Sequence, residues 1–395
     1  MKRKIAVVVQ RYGLEINGGA EYHARLIAEM LNRHFSVEVF TTSAFDYVTW
    51  AHHYPAVREE LNGIPVHRFR VQRSRDPEAF GRIQQRILKE EHILDDELRW
   101  LEEEGPLVPG LLRELQRREA EFAYFVFFSY RYYHSYHGIE TFRRKVILVP
   151  TAEHDQVVHL SLFRDSFNLP AAIVYNSPEE RELIQKVSGN AGVPGEVIGV
   201  GSEVPDRFDP RTTCARLGIE GSYAIYIGRL DENKGVPELF RFYLRLKSEE
   251  RIGLKLVLVG KAYVPVPEDP DIIHVGFQEN KEKFDLLMGA DFLLMPSQFE
   301  SLSMVAIEAW AVGKPVLANG RTDVLRGQCR RSHAGLWYLD YDEFREAFLV
   351  LERNPPLRSG LGRNGMEFYR RNYSWQVIEG KYLDFITRLD GTARP

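Results

Sequence analysis

The chain has 395 residues, more than one hydrophobic core usually organises, so two domains of roughly two hundred residues or a little less are expected. With 44% hydrophobic and 27% charged residues, the composition excludes disordered and fibrous classes. A formal net charge of −4 supplies no field for gathering nucleic acid, and no run approaches the ~18 apolar residues of a spanning helix, so a cytoplasmic enzyme is the expectation.

From the N-terminus, the apolar run Ile5 to Val9 is cut short by Gln10 and Arg11, too brief for a signal-peptide core. It reads as a strand, Ile5 to Gln10. Asn17-Gly18-Gly19-Ala20-Glu21 then opens a helix with Ala20, Ala24, Ile27, Ala28 and Leu31 on one face. Strands follow at Val37–Thr42 and Val66–Val71. Arg68, Arg70, Arg73, Arg75, Arg82 and Arg86 crowd the next interval, and Lys89–Glu104 is strongly acidic. A solvated edge and helix face is the favoured reading there, ahead of a weak peripheral contact with lipid or polyanion.

Further strands are predicted at Tyr124–Phe128, Val146–Pro150 and Ala172–Asn176, alternating with helical patterns as in βαβ units with a parallel sheet. The aromatic run from Tyr124 to Tyr136 passes from buried strand into loop. Phe125 to Phe128 read as core, and Tyr130, Tyr132 and Tyr133 remain candidates for stacking on a ligand. Residues 206–222, after a Gly/Pro-marked stretch, read as a hinge. The rhythm then restarts with nearly all-apolar strands at Tyr223–Ile227, Leu254–Val259, Ile272–Phe277, Phe292–Met295, Val316–Ala318 and Leu336–Leu339. Ser374 is placed to cap a last helix carrying Trp375, Val377, Ile378, Tyr382 and Phe385. The expected division is 1–205, completed by 374–395, and 206–373. Cys214 and Cys329 lie far apart without metal-ligand spacing and are read as free thiols, with no metal site.

The densest chemical signal runs from Met295 to Ala318, as strand, loop, helix, turn and strand. Ser301, Ser303, Met304 and Val305 fall at a helix N-terminus, whose free N–H groups suit the phosphates of a nucleotide. Glu300 stands before that helix and Glu308 two turns inside it. Glu308 can accept hydrogen bonds from a ribose diol, and Glu300 can face a sugar at the other end of the ligand. Each alone would be an ordinary surface glutamate; the whole arrangement is what points to a ligand. A second cluster, Gly228-Arg229 to Lys234-Gly235, follows the first strand of the second series. Two fixed cations there would stabilise a departing diphosphate, although in isolation they read as solvated charges. The glycines Gly18 and Gly19 let backbone approach a ligand at a helix start, with an ordinary turn as the alternative. His154, in Pro150-Thr-Ala-Glu-His-Asp155, emerges beyond a strand end, where open α/β sheets place ligands, though a lone histidine is more often structural.

These residues resemble the retaining glycosyltransferases of GT-B architecture, family-four type, over nearly the whole chain. The resemblance implies an α/β fold of two Rossmann-like domains with parallel sheets facing across a cleft, the acceptor on the first domain and the nucleotide sugar on the second. Glu300 and Glu308 reproduce the family's two glutamates seven residues apart, Arg229 and Lys234 its phosphate-binding pair, Gly18-Gly19 its glycine loop and His154 a histidine beside the donor sugar. By the same resemblance Glu308 holds the ribose, and Phe277 offers backbone groups to the base. The implied donor is UDP- or GDP-linked, with no separate cofactor and no metal. The implied acceptor is a sugar or glycolipid. Two departures stand out. Ser303 occupies a position where the family often has glycine, and Gly199-Val200-Gly201-Ser202-Glu203 lacks the family's Asn-Gly-Val-Asp pattern.

Three other readings compete, the weakest of them an epimerase of the same architecture. An NAD-dependent dehydrogenase needs the glycine fingerprint with a downstream acid, which is missing. A binding protein that kept the fold without the reaction is at odds with intact Glu300, Glu308, Arg229, Lys234 and His154.

Overall fold

A computed structural model describes residues 2–392 apart from Ala56. The described residues divide into two units, one taking those up to Val200 and from Glu379 on, the other Gly201–Ile378.

The first unit is built on strands β1 (Lys4–Val8), β2 (Ser36–Thr42), β3 (Arg58–Leu61), β4 (Ile64–Phe69), β5 (Tyr124–Phe128), β6 (Val146–Val149), β7 (Ala172–Tyr175) and β8 (Gly195–Val197). They lie in the order β3-β4-β2-β1-β5-β6-β7-β8. All pairings are parallel except the β3/β4 hairpin. The central strands β1, β5 and β6 are buried along almost their entire length because helices cover both faces, which explains why they read as continuous apolar runs.

Strands β3 and β8 were not expected. Arg58-Glu-Glu-Leu61 lies at the sheet edge with alternately exposed residues, so it has no apolar face to signal it. Its turn, Asn62-Gly63, has both residues at positive φ (51° and 74°), the pairing that a two-residue hairpin demands. The short β8 is the opposite edge and only half-buried.

The second unit contains β9 (Tyr223–Ile227), β10 (Lys255–Val259), β11 (Ile272–His274), β12 (Phe292–Met295), β13 (Val316–Asn319) and β14 (Gly335–Tyr338). The order is β11-β10-β9-β12-β13-β14, all parallel. Chain direction across the sheet reverses between β9 and β12, the topological switch point where doubly wound sheets bind ligands.

Residues 206–222, expected as a hinge, carry the helix Pro210–Arg216 with Asp209 as its N-cap. Asp285 accepts from the Asp209 N–H at 2.7 Å and from Thr213 Oγ1 at 2.9 Å, which ties this stretch into the second unit. The last helix spans Trp375–Thr392, but the Ser374 hydroxyl donates back to Arg370 O at 3.0 Å. Within the first unit this helix is held by His34 on Glu379 and by Tyr124 on Asp390 at 3.0 Å.

The basic interval is not a solvated edge throughout. The Arg68 side chain is 1% exposed, bonds Glu59 and Tyr12 O, and lies 3.8 Å from the Tyr54 ring centre. Arg75 is buried against Glu104, Trp50 and Phe80. Arg73 and Arg86 pair with Glu103 and Asp96 of the acidic block, so the two charge runs partly neutralise each other. Among the aromatics, Tyr130 is core, packed on Phe163 and Phe167, which removes it as a stacking candidate. Tyr132 is half-buried edge-on to Trp50, and Tyr133 is half-buried beside His137. Cys329 is buried and its thiol is pushed up to about 12 by desolvation; both cysteines are free.

Candidate functional site

The loops that follow β9 and β12 flank the switch point of the second sheet. The first, Gly228 to Gly235, is tied down by its own residues. Tyr226 donates its hydroxyl to Arg229 O at 2.6 Å, and burial keeps that phenol protonated by raising its pKa. Asp231 accepts from the Lys234 N–H at 2.8 Å and pairs with Arg229 Nε at 3.1 Å, so one carboxylate organises both cations. Gly235 ends the loop at φ 70°, and a Cβ there would run into Pro296 O. Only glycine lets this backbone meet the β12 loop and then start the helix Val236–Glu249.

The second loop is held from the neighbouring strand end. Asn319 donates to Pro296 O at 3.1 Å, and Thr322 Oγ1 to Ser297 O at 2.7 Å. Gln328 donates to Leu302 O. The loop ends at Ser303, with φ 63° and ψ 82°, as N-cap of the helix Met304–Ala311. A left-handed serine costs about 1–2 kcal/mol relative to ordinary backbone, and its Oγ accepts from the Ala306 N–H at 3.4 Å. The conformation is one that glycine adopts freely, so a serine here keeps the backbone path that a glycine would give. Met304 and Val305 then present first-turn N–H groups that have no intrahelical acceptor.

Across the switch point Lys234 Nζ meets Glu300 Oε1 at 2.8 Å, their side chains 28% and 11% exposed. Arg229 is more open, at 40%. About one turn into the helix, where two were expected, the Glu308 side chain is 3% exposed, and its Oε1 takes a 2.6 Å bond from Lys283 Nζ. Its Oε2 is buried without a hydrogen-bond partner among the described residues. An acceptor oxygen left in that state is costly unless something donates to it, which suits a hydroxyl-bearing ligand.

Lys283 lies on the helix Asn280–Gly289 and was missed by the sequence reading, as was Asp231. Phe277 follows Gly276 (φ 70°) beyond β11, where the Gly260 N–H bonds Gly276 O at 2.8 Å; its ring is exposed. Thus Arg229, Lys234, Glu300, Ser301, Ser303, Met304 and Val305 share the carboxyl end of β9 and β12, with Glu308 deeper on the same helix. Phe277 stands at the end of β11, two strands away.

Three expected residues belong to the first unit. Gly18 is the N-cap of the helix Gly19–Asn32 with ordinary φ (−67°); a Cβ there would strike the Glu21 carboxylate, which pairs with Arg11 at 2.6 Å. Gly19 has open space where a Cβ would stand. Its glycine requirement is therefore not steric within this unit. His154 is exposed on the loop after β6, its ring centre 5.7 Å from that of His159. Among the described residues no group of three or more His, Cys, Asp and Glu side chains is arranged to hold a metal ion.

Residues 217–368 match the sequence profile of the glycosyl transferases group 1 family. Among curated proteins, an uncharacterized glycosyltransferase of Methanocaldococcus jannaschii is 29% identical over 167 residues, covering 40% of this chain and 46% of that protein. The chain spans between 26% and 54% of the length of such relatives. Among solved structures, sucrose-phosphate synthase of Thermosynechococcus elongatus superposes with a TM-score of 0.72 at 16% identity, over 99% of this chain and 100% of that one. Anabaena HepE, solved with UDP-glucose, gives 0.69 at 15% identity, over 98% and 99%. At such identities the likeness is one of fold: two Rossmann-like units of the GT-B class.

Proposed function

We propose, from the match of residues 217–368 to the glycosyl transferases group 1 profile, that the chain is a retaining glycosyltransferase using a nucleotide-sugar donor. The observation that carries the reading is the convergence of the β9 and β12 loops at the switch point. They put two cations, two carboxylates and a helix N-terminus at one end of one sheet. In this reading the Met304 and Val305 N–H groups, Arg229 and Lys234 receive the diphosphate, and Glu308 Oε2 accepts from the ribose. Glu300 faces the transferred sugar, held in place by Lys234. Phe277 borders the base, and Gly18, Gly19 and His154 of the first unit serve the sugar and acceptor. The acceptor is a sugar or glycolipid hydroxyl, and the donor is UDP- or GDP-linked; a UDP-glucose complex is known for the similar Anabaena HepE.

The chemistry proposed is same-face displacement. The acceptor oxygen bonds to the anomeric carbon as the bond from that carbon to the diphosphate breaks, and a diphosphate oxygen takes the acceptor's proton. Positive charge fixed beside the leaving group favours the transition state over the ground state, because negative charge on the diphosphate grows as the bond breaks. No metal is required for this step in the proposal, since Arg229, Lys234 and the helix start supply that charge.

A panel of nucleotide sugars tested by thermal shift identifies the donor, since a ligand of the native state raises Tm. With that donor, release of nucleoside diphosphate and an axial linkage in the first-formed product, by proton NMR, are expected from an α-linked sugar. An equatorial linkage overturns retention. Binding without any release favours the non-catalytic alternative, and saturable binding of NADH in place of nucleotide sugars favours the dehydrogenase.

A further inference from the structure

The first unit contains a buried carboxylate that the reading above does not use. Glu180, on the helix Pro178–Ser188, is 1% exposed. Its Oε1 accepts from the Ala152 N–H at 2.6 Å, and its Oε2 accepts from the Asn176 N–H at 2.5 Å. These two peptides lie just past the carboxyl ends of β6 and β7, so one side chain spans two adjacent strand ends. Ala152 precedes His154 by two residues.

The loop it grips follows an unusual path. Thr151 has φ 49°, and Ser129, at the matching end of β5, has φ 64°. Their hydroxyls bond each other at 2.9 Å, and Tyr130 N–H bonds Pro150 O at 3.0 Å. A threonine in the left-handed region is disfavoured and persists only where its surroundings over-determine it. The Glu180 bond to the next peptide is one of the restraints that does so. Farther along, Asp155 accepts from Val158 N–H at 3.2 Å and pairs with Arg131 at 3.4 Å, which fixes the far end of the loop. A carboxylate is an expensive way to close two strand ends: desolvation lifts its pKa to about 8, with Glu153 adding like charge. An apolar residue with the loop repacked would avoid that cost.

We propose that Glu180 is a positioning residue that sets the loop Pro150–Asp155, and with it the His154 ring, for the transfer step. The proposal rests on the reading of His154 as a residue beside the donor sugar, and its test separates the two. Glu180→Gln is nearly isosteric, but its amide offers an N–H₂ where one of the two backbone donors needs an acceptor, so one of the two anchors is lost. Glu180→Asp keeps the carboxyl group and withdraws it by one carbon, and it serves the same comparison should the glutamine variant not fold.

Two measurements decide the matter. Histidine ring NMR signals, with His154 identified through His154→Ala, should move for His154 in the folded Glu180→Gln protein while that of His333, at the end of the helix Asp323–Ser332 in the second unit, stays in place. This readout does not depend on turnover. In donor assays Glu180→Gln should lower kcat roughly tenfold with donor KM kept, as a displacement well under an ångström allows. In the His154→Ala background the same substitution should change kcat by no more than about twofold, because residues acting through one another are non-additive. An unmoved His154 signal overturns the positioning role whatever the chemistry is. A tenfold loss that persists in the His154→Ala background overturns it too, by showing that Glu180 acts on folding or through another group. A wild-type kcat in His154→Ala defeats the reading of His154 itself.

Discussion

Replacing Glu308 by alanine separates binding from chemistry. The side chain is 3% exposed and joined to Lys283 at 2.6 Å, and its Oε2 is the atom assigned to the ribose. Hydrogen bonds to an ionised group contribute about 1.5–3 kcal/mol each, so losing one that is present in both ground and transition states should raise the donor KM by about 10- to 150-fold with kcat largely kept. The same substitution strands Lys283, whose side chain is only 16% exposed, at a cost of about 1–3 kcal/mol. For a unit of this size that lowers Tm by roughly 2–12 °C. The two effects part in the double variant Lys283→Met with Glu308→Ala, which removes the stranded ammonium. It should recover most of the lost Tm while donor KM stays high. Steady-state kinetics and thermal melts on the three proteins are sufficient. A collapse of kcat at unchanged donor KM in a folded Glu308→Ala protein refutes the ribose role, and so does a KM that recovers together with Tm.

Arg229→Ala and Lys234→Ala should each lower kcat roughly 10²-fold, by analogy with removing one preorganised donor from an oxyanion site; near wild-type turnover in both would exclude them from the reaction. Excess EDTA should leave activity nearly intact, and a complete loss that Mg²⁺ or Mn²⁺ restores would overturn metal independence. Acid should destabilise the first unit through His134, which is fully buried with both ring nitrogens unpartnered among the described residues and its pKa drawn down to about 3 by desolvation. The unfolded chain takes up this proton below about pH 6.5 and the folded one does not, so the stability is fully present above that pH and is lost as pH falls toward 3, by about 2 kcal/mol at pH 5. His134→Phe should remove that part of the dependence in urea unfolding at pH 7 and pH 5, and an identical pH dependence in both proteins would refute it.

What was legible in the sequence follows from which interactions are local. The inner strands are covered on both faces, so apolar runs such as Ile5–Gln10, Tyr124–Phe128 and Phe292–Met295 marked them without any knowledge of partners. The edge strand Arg58–Leu61 has no such run; its available signal was the Asn62-Gly63 turn, which an apolar pattern search passes over. Likewise Asp209-Pro210 is a helix-start signature inside the presumed hinge, and Asp285, 76 residues on, is what fastens that segment. Ion pairs were the least legible. Lys283 precedes Glu308 by 25 residues and Lys234 precedes Glu300 by 66, so nothing in local spacing could foretell that the candidate ligands for phosphate, sugar and ribose hold one another in pairs.

Ser303 shows how a departure at the level of residue type can leave the backbone unchanged. A helix that offers its first N–H groups to an anion has to be entered by a sharp reversal from the strand, and the residue at the reversal takes a left-handed conformation. Glycine does this without a Cβ penalty. Serine pays it in part and compensates by capping, with its Oγ on the Ala306 N–H. That cap uses the third N–H of the helix and leaves those of Met304 and Val305 pointing past the helix end. The substitution therefore changes how the turn is stabilised while keeping the two donors that the proposed diphosphate needs. Ser303→Gly should in consequence keep donor affinity within about threefold, since loss of a cap to glycine costs only a few tenths of a kcal/mol. Isothermal titration with the identified nucleoside diphosphate checks this, and a loss of tenfold or more would mean that the Ser303 hydroxyl itself contacts the ligand.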